Sequence, residues 1–220
     1  RITNGWATCN YTYFAMSLSK PIKSYGYRDM KKPSYRGFMG KLRLHENFPE
    51  ISGRDIVAYL NFDNTDTQEL VVKVALSAVS TEGALRNLRD EAGALSFDEL
   101  RQRTDKQWND ELSTIRCQGT TDQMAMLYTS LYHTMINPSV YMDTDHHYRG
   151  LDGNIHVADG FTNYTIFSLW DTYRAQHPLL GLIKTSRNTD MVRSMIAHQQ
   201  QSVHHLLPIW SLMGNEGWCM

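Results

Sequence analysis

An indole, a carboxylate, a phenol, a guanidinium and an imidazole lie within residues 168–178. An aromatic ring beside charged groups is typical of sugar recognition, because the ring packs on the C–H face of a pyranose while the charged groups bind its hydroxyls. Trp170 and Asp171, which are adjacent, are the first candidates. Tyr173, Arg174 and His177 follow at helical spacing, and Pro178 is expected to close the segment. Taken alone, the segment favours a structural alternative, a buried salt bridge beside a core tryptophan.

A second segment, residues 207–220, repeats this combination of groups. Gly214-Asn215 indicates a turn or a helix break, and Glu216 and Trp218 supply another carboxylate and another indole. A third region combines the run Tyr128-Thr129-Ser130-Leu131-Tyr132-His133 with a polar stretch over residues 143–153.

Together these segments resemble glycoside hydrolase family 92, the calcium-dependent exo-acting α-mannosidases. The resemblance implies an inverting enzyme that removes terminal α-mannose, with α-1,2 linkages of N-glycans or mannan as the expected substrates. It also implies a bacterial protein that is secreted, periplasmic or on the cell surface. The motifs that carry the resemblance are Tyr13-Phe14, Val79-Ser80-Thr81-Glu82-Gly83-Ala84, Tyr128 to His133, Tyr148-Arg149-Gly150, Ser168 to Pro178, and Gly214-Asn215-Glu216 with Trp218-Cys219-Met220.

The resemblance assigns roles to the candidate residues. Asp171 is expected to bind hydroxyls of the terminal mannose such as O4 and O6, with Trp170 as a wall of the pocket. Arg174 binds sugar or holds Asp171 through a bidentate pair. Glu216 and Trp218 are further candidates for substrate binding or for structural support near the pocket.

Catalytic groups are expected elsewhere. The family's general acid, its general base pair and its main calcium-binding motif belong to segments that follow the last motif present here. We therefore assign no catalytic residue and no metal ligand within residues 1–220. Calcium is implied as a cofactor of the whole protein, and this chain alone is expected to be inactive.

Composition narrows the class of protein. Of the 220 residues, 41% are hydrophobic and 20% are charged, which is typical of a soluble globular protein. A net charge of −1 gives no reason to expect a nucleic-acid partner. The sequence contains no apolar stretch of about 18 residues, so no membrane span is predicted. Because the chain starts at Arg1 without a leader and stops at Met220 after a segment with candidate binding residues, we expect it to be part of a longer polypeptide. Its expected partners are the rest of that polypeptide and a mannose-containing glycan.

Alternating and β-branched patterns predict strands in the first part of the chain, at residues 11–18, 55–62 and 69–77. Residues 26–50 are basic and loop-like. Strands at this spacing, separated by turn residues, favour part of an antiparallel sandwich.

After Ser80 the pattern becomes helical. Helices are predicted at 81–92, from a Ser96/Glu99 capping box onward, from Thr120 to before Asn137-Pro138, through the Trp170-Asp171 segment, from about Thr189, and near Pro208. The predicted inward residues of the helix near Thr189 are Val192, Met195, Ile196 and Val203. A long loop is expected over 139–160.

The predicted fold class is mixed β and α, with the boundary between residues 1–79 and 80–220. In the family these parts correspond to the end of an N-terminal β-sandwich, then a linker helix and the first helices of an α/α toroid that forms the catalytic domain.

The sequence predicts no metal site, and it leaves open whether any two cysteines form a disulfide. Asp143, Asp145 and His146-His147 match neither a zinc nor a calcium signature, so we favour a solvated loop. Cys9, Cys117 and Cys219 are too few for a disulfide framework, and each thiol is predicted to be a small buried side chain, although one pair could bridge.

Two other functions stay open at this point. One is a different α/α-toroid glycosidase of the trehalase or glucoamylase type, which would not need calcium. The other is a non-catalytic carbohydrate-binding module, which would fold and bind sugar unaided. Exposed apolar faces in a partial toroid argue against the second.

Overall fold

The computed structural model describes residues 10–29, 55–63, 65 and 68–217. Strands dominate up to residue 77, and helices alternate with short strands after it. The predicted mixture of β and α structure is therefore confirmed. The strands are β1 (Tyr13–Leu18), β2 (Ser24–Asp29), β3 (Ile56–Asn61), β4 (Val72–Ser77), β5 (Ser139–Val140), β6 (His147–Arg149), β7 (Ile155–Val157), β8 (Tyr164–Thr165), β9 (Phe167–Ser168), β10 (Trp210–Leu212) and β11 (Asn215–Gly217). The helices are α1 (Thr81–Ala92), α2 (Phe97–Leu112), α3 (Thr121–Ile136), α4 (Leu169–Thr172), α5 (Gln176–Ile183) and α6 (Thr185–Gln201).

The chain divides into two compact units, residues 17–73 and residues 1–16 with 74–220. In the smaller unit β2 and β3 pair antiparallel, from Ser24 opposite Asn61 to Asp29 opposite Ile56. β1 pairs with β4 in a separate two-stranded sheet. The three predicted strands correspond to β1, β3 and β4, while most of residues 26–50 lie outside the described residues. The sandwich and the boundary at residues 79/80 stay predictions.

Helix α1 begins where its cap predicts. Ser80 is extended, and its Oγ accepts a hydrogen bond from the Gly83 N–H at 2.9 Å, which satisfies one of the free donors of the first turn. The face that carries Gly83, Ala84, Asn87 and Leu88 is buried. The helix therefore presents small and polar side chains inward at its first turns, and this allows close approach of the chain beneath it.

Capping boxes also set the starts of α2 and α3, with Ser96/Glu99 and Thr120/Gln123 as the reciprocal pairs. Helix α3 ends before Asn137-Pro138, as predicted. Its apolar face is half-buried at Met124 and Leu127 and buried at Leu131 and Met135. Helix α2 packs unevenly, because Phe97 is 71% exposed while Trp108 packs on Tyr132 of α3 with ring centroids 4.6 Å apart.

Residues 139–160, predicted as a loop, contain β5, β6 and β7. β6 and β7 pair antiparallel as a hairpin, and β5 pairs with β8. The short strands escaped prediction because two- or three-residue pairings carry too little periodicity to be recognised.

The larger unit has a small apolar core where α5 and α6 cover β8 and β9. Its members are Tyr164, Phe167, Leu180 and Met191, with Met195 packed against them. The prediction of inward-facing residues was wrong for Val192, Ile196 and Val203, which are exposed, and Val203 lies beyond the end of α6. The buried residues are instead Met191, Ser194 and His198, whose spacing of three and four places them on one side of the helix.

Candidate functional site

A three-stranded antiparallel sheet brings the two candidate segments together. β10 is its middle strand, with β9 on one side and β11 on the other. Trp210 lies opposite both Ser168 and Gly217, and Ser211 lies opposite both Phe167 and Glu216. The predicted helix near Pro208 was therefore wrong, because this part of the chain pairs with β9 and β11 rather than forming local hydrogen bonds.

The strand that leads into the site contains a strained residue. Ile166 has a φ of 65°, which is rare for a β-branched side chain and costs roughly 1–3 kcal/mol. It separates β8, which pairs with β5, from β9, which pairs with β10. Its N–H donates to the Ser211 carbonyl at 2.9 Å. This conformation lets the chain change pairing partners immediately before the candidate residues.

The candidate pair itself lies on the short helix α4, directly after β9. Trp170 is 77% exposed, so its indole face is open rather than part of a core. Asp171 is also exposed, and its Oδ2 accepts a hydrogen bond from the Ser168 hydroxyl. Ser168 Oγ in turn accepts from Trp210 Nε1 at 2.8 Å. An open indole and an oriented carboxylate are thus adjacent, and the buried salt bridge of the structural alternative is not what the chain forms.

Arg174 does not hold Asp171. Its Nε donates to the Tyr173 hydroxyl at 2.6 Å, and its guanidinium carbon lies 5.3 Å from the centroid of the same ring. The predicted continuous helix was wrong, because α4 ends at Thr172 and the chain turns over residues 173–175. The turn removes the helical spacing on which a pair between Arg174 and Asp171 depended.

Pro178 does not close the segment as predicted. It occupies the first turn of α5, where a missing N–H costs nothing because the first-turn donors lack helical partners. His177 Nδ1 lies 3.1 Å from Asn188 Oδ1 of α6, so this imidazole packs between helices rather than joining the candidate pair.

The second segment is described only in part. Glu216 is in β11, where its backbone pairs with Ser211, and this places the residue in the same sheet as Ser168. Trp218 lies outside the described residues. The roles of Trp170, Asp171, Arg174, Glu216 and Trp218 in substrate binding therefore stay predictions.

The Asp/His loop is structural rather than solvated. Asp143 is 3% exposed and accepts hydrogen bonds from Ser77 Oγ at 2.7 Å and from Asn87 Nδ2 at 2.9 Å. Asp145 forms an ion pair with Arg86, and its Oδ2 lies 3.1 Å from His147 Nδ1. Both carboxylates thus face protein donors. Among the described residues no three His, Cys, Asp or Glu side chains form a group that could hold a metal ion.

A cavity of about 240 Å³ adjoins this cluster, lined by Tyr11, Leu76, Val140, Tyr141 and Met213 among others. Burial raises the pKa of Tyr141 to about 12, so its phenol is neutral at ordinary pH.

Cys117, predicted to be buried, is instead an exposed free thiol, and Cys9 and Cys219 lie outside the described residues. None of the helices in the described ranges is long and apolar enough for a membrane crossing.

Ser168 and Trp210 are the residues that sequence reasoning missed as parts of the site. They are 42 positions apart, and only the β9–β10 register makes them neighbours. A serine two residues before the Trp-Asp pair was the available signal, but a serine at this position is equally typical of an ordinary helix cap.

Comparison with known proteins identifies relatives of this chain. The profile described as "Glycosyl hydrolase family 92 catalytic domain" matches residues 83–220, more than half of the chain. No curated protein is similar to it in sequence at a significant level.

Among solved structures, the family GH92 alpha-mannosidase BT3965 from Bacteroides thetaiotaomicron is 40% identical, with a TM-score of 0.86 over 98% of this chain and 29% of its own. The same mannosidase in complex with mannoimidazole gives a TM-score of 0.85. The family GH92 inverting mannosidase BT2199 from that organism is 28% identical, with a TM-score of 0.84 over 100% of this chain and 28% of its own. The chain thus spans less than a third of the length of these mannosidases, and it belongs to glycosyl hydrolase family 92.

Proposed function

We propose that the chain is part of an inverting exo-α-mannosidase that removes terminal α-mannose, with α-1,2 linkages of N-glycans or mannan as its substrates. The observation that carries this proposal is the 40% identity over 98% of the chain to an alpha-mannosidase whose complex with mannoimidazole has been solved. That ligand belongs to the relative, and it supports a mannose-type ligand for this protein.

The local geometry supports a role in sugar binding. The exposed Trp170 indole offers an apolar face to the C–H face of a pyranose. Asp171 Oδ2 is engaged by Ser168, and among the described residues no donor engages Oδ1. The free oxygen is therefore available to accept hydrogen bonds from sugar hydroxyls such as O4 and O6, and a charged acceptor makes these bonds strong.

Arg174, Glu216 and Trp218 complete the proposed set of binding residues. Arg174 is exposed beside Tyr173, to whose hydroxyl it donates. Glu216 belongs to the sheet that carries Ser168. We propose that both residues contribute to binding of the sugar.

Hydrolysis itself needs groups that we assign outside this chain. An inverting glycosidase uses one carboxylic acid to protonate the leaving oxygen and one carboxylate to activate water, roughly 6.5–9.5 Å apart. We propose no such pair within residues 1–220. This chain then contributes binding and orientation, while the acid, the base and the water-activating geometry come from the rest of the polypeptide.

Calcium remains a proposal for the whole protein. Calcium prefers several hard oxygen ligands. Asp143 and Asp145 are occupied by protein donors, so the described residues do not fit a calcium site, and we assign the ion no step here. For the whole protein we further propose the β-sandwich and α/α-toroid architecture, divided at residues 79/80, and a secreted, periplasmic or cell-surface location.

The decisive experiment measures mannose released from an α-1,2-mannobiose by the whole protein, first with calcium and then with excess chelator. Calcium-dependent release supports the proposal. Release that persists in chelator favours a toroid glycosidase of another type. Absence of release from α-1,2-, α-1,3-, α-1,4- and α-1,6-linked substrates contradicts the proposed activity.

Replacement of the candidate carboxylate tests the assignment of the site. Asp171→Ala should lower kcat/KM at least 100-fold, which equals about 2.7 kcal/mol and is reasonable for the loss of charged hydrogen bonds to the substrate. Asp98→Ala removes a 74% exposed carboxylate from the first turn of α2 and should leave kcat/KM unchanged. A loss below threefold for a folded Asp171→Ala protein would refute the role of this carboxylate.

A further inference from the structure

We infer that Ser168 and Trp210 are positioning residues that orient the Asp171 carboxylate toward substrate, an inference that rests on the proposed function. The Ser168 hydroxyl lies between two partners, the Trp210 indole N–H at 2.8 Å and Asp171 Oδ2. In this proposal neither residue contacts the sugar. Their effect on the reaction is exerted through Asp171.

The chemistry of the three groups fixes the direction of this relay. An indole N–H can only donate, and an ionised carboxylate can only accept. The hydroxyl between them must therefore accept from Trp210 and donate to Asp171. Because Ser168 has a single proton, the donation to Asp171 leaves no alternative orientation while the Trp210 bond is intact. The relay holds one carboxylate oxygen and leaves the other for a ligand.

The position of Ser168 shows that its hydroxyl is committed to this relay. It precedes α4, where a serine would ordinarily cap the helix by accepting from a first-turn N–H. Here its side chain makes no such bond to the helix backbone. The helix consequently lacks a serine cap, while Asp171 gains a hydroxyl donor.

The sheet gives the relay a rigid base. Ser168 and Trp210 are directly opposed on β9 and β10, and β10 is held on its other edge by β11. The next residue of β10 is also anchored, because Ser211 Oγ lies 2.8 Å from Nδ1 of the buried His198 of α6. Asp171 itself is exposed on a helix of only four residues. The carboxylate therefore takes its orientation from the neighbouring sheet rather than from its own helix.

Three variants of the whole protein test this inference through α-mannoside hydrolysis. Ser168→Ala removes both bonds and should lower kcat/KM about 10- to 50-fold. Ser168→Thr retains a hydroxyl and should recover to within about fivefold of the parent. Trp210→Phe removes the N–H but keeps an aromatic ring, and it should cost about three- to tenfold because the hydroxyl can still donate. Ser113→Ala, at the half-buried C-terminal end of α2, is the matched control and should have no effect.

A double replacement separates positioning from general loss of structure. In an Asp171→Ala background, Ser168→Ala should reduce kcat/KM by less than twofold, since the carboxylate that it orients is gone. If the two losses instead multiply, or if Ser168→Ala and Trp210→Phe are both silent, the relay does not position Asp171. Parent protein that neither hydrolyses a mannoside nor binds mannoimidazole would refute the proposed function first, and the positioning role with it.

Discussion

Replacing Gly83 with alanine should destabilise the protein, although the same change in most helices stabilises it. Gly83 lies in the first turn of α1 and is buried. A Cβ at this position would be 2.2 Å from Asp143 Oδ2 and 2.8 Å from Ser77 Oγ. Both distances are shorter than carbon and oxygen atoms tolerate without a bond, so at least one of the two side chains must move.

The cost follows from what those side chains do. Asp143 is buried and accepts from Ser77 at 2.7 Å and from Asn87 at 2.9 Å. Overpacking costs roughly 1–3 kcal/mol, and a buried polar group that loses its partner costs about 1–3 kcal/mol more. The intrinsic gain of alanine over glycine in a helix offsets only about 0.5–1 kcal/mol. The net expectation for Gly83→Ala is therefore a loss of roughly 1–5 kcal/mol.

The assay is thermal or urea unfolding followed by circular dichroism, with Gly181→Ala as the matched control. Gly181 is also helical, in α5, but its Cβ would meet nothing closer than Asn188 Nδ2 at 3.6 Å. We expect this control to be neutral or slightly stabilising. If Gly83→Ala is as harmless as Gly181→Ala, Asp143 does not pack beneath α1 as described.

A second background checks the cause. With Asp143→Ala already in place, the obstructing carboxylate is absent, and Gly83→Ala should cost less than half of its effect in the parent. Such a coupling between two residues 60 positions apart is expected when they are in contact. Equal costs in both backgrounds would place the strain elsewhere.

Two further predictions concern the buried imidazole of His198 and the half-buried guanidinium of Arg149. Burial lowers the pKa of His198 from 6.5 to about 4, so the unfolded chain binds the proton more readily between these values. The stability contributed by the neutral imidazole should be complete above about pH 7.5 and lower by about 1.4 kcal/mol at about pH 5.5. Urea unfolding at these two pH values should show a smaller difference for His198→Gln. Arg149 donates to the carbonyls of Ala78 at 2.9 Å and Gly153 at 2.8 Å, a geometry that lysine cannot reproduce. Arg149→Lys should therefore cost roughly 1–2 kcal/mol in the same assay, whereas Arg86→Lys, at a 45% exposed ion pair, should cost well under 1 kcal/mol; equal losses would contradict this account.

The elements that the sequence predicted well are those whose signals are local. Ser80, the Ser96/Glu99 box and Thr120 each bond to residues within the following turn, and these bonds start α1, α2 and α3 at the expected positions. The stop before Asn137-Pro138 is equally local, because proline restricts the residue that precedes it. Caps and breakers act over three or four residues, and this is the range that a sequence pattern can resolve.

The elements that it missed depend on distant partners. The strand at Trp210 forms because β9 lies 42 positions away and offers free backbone groups. Asp143 is buried because Ser77, 66 positions earlier, donates to it, although its neighbours in sequence are polar and favoured a solvated loop. No periodicity within either segment contains this information, so each was predicted from its own composition and predicted wrongly.

The same nonlocal pairing explains why the candidate site consists of two segments. Ser211 lies opposite both Phe167 and Glu216, and its carbonyl accepts the N–H of the strained Ile166. Release of the strain at Ile166 would therefore require β9 to separate from β10, and that separation would also remove Trp210 from Ser168. The hydrogen bonds between β9 and β10 thus both keep Ile166 in its strained conformation and hold Trp210 and Ser168 in the positions that orient Asp171. Substitutions in β10 should accordingly affect binding at α4 without touching a ligand.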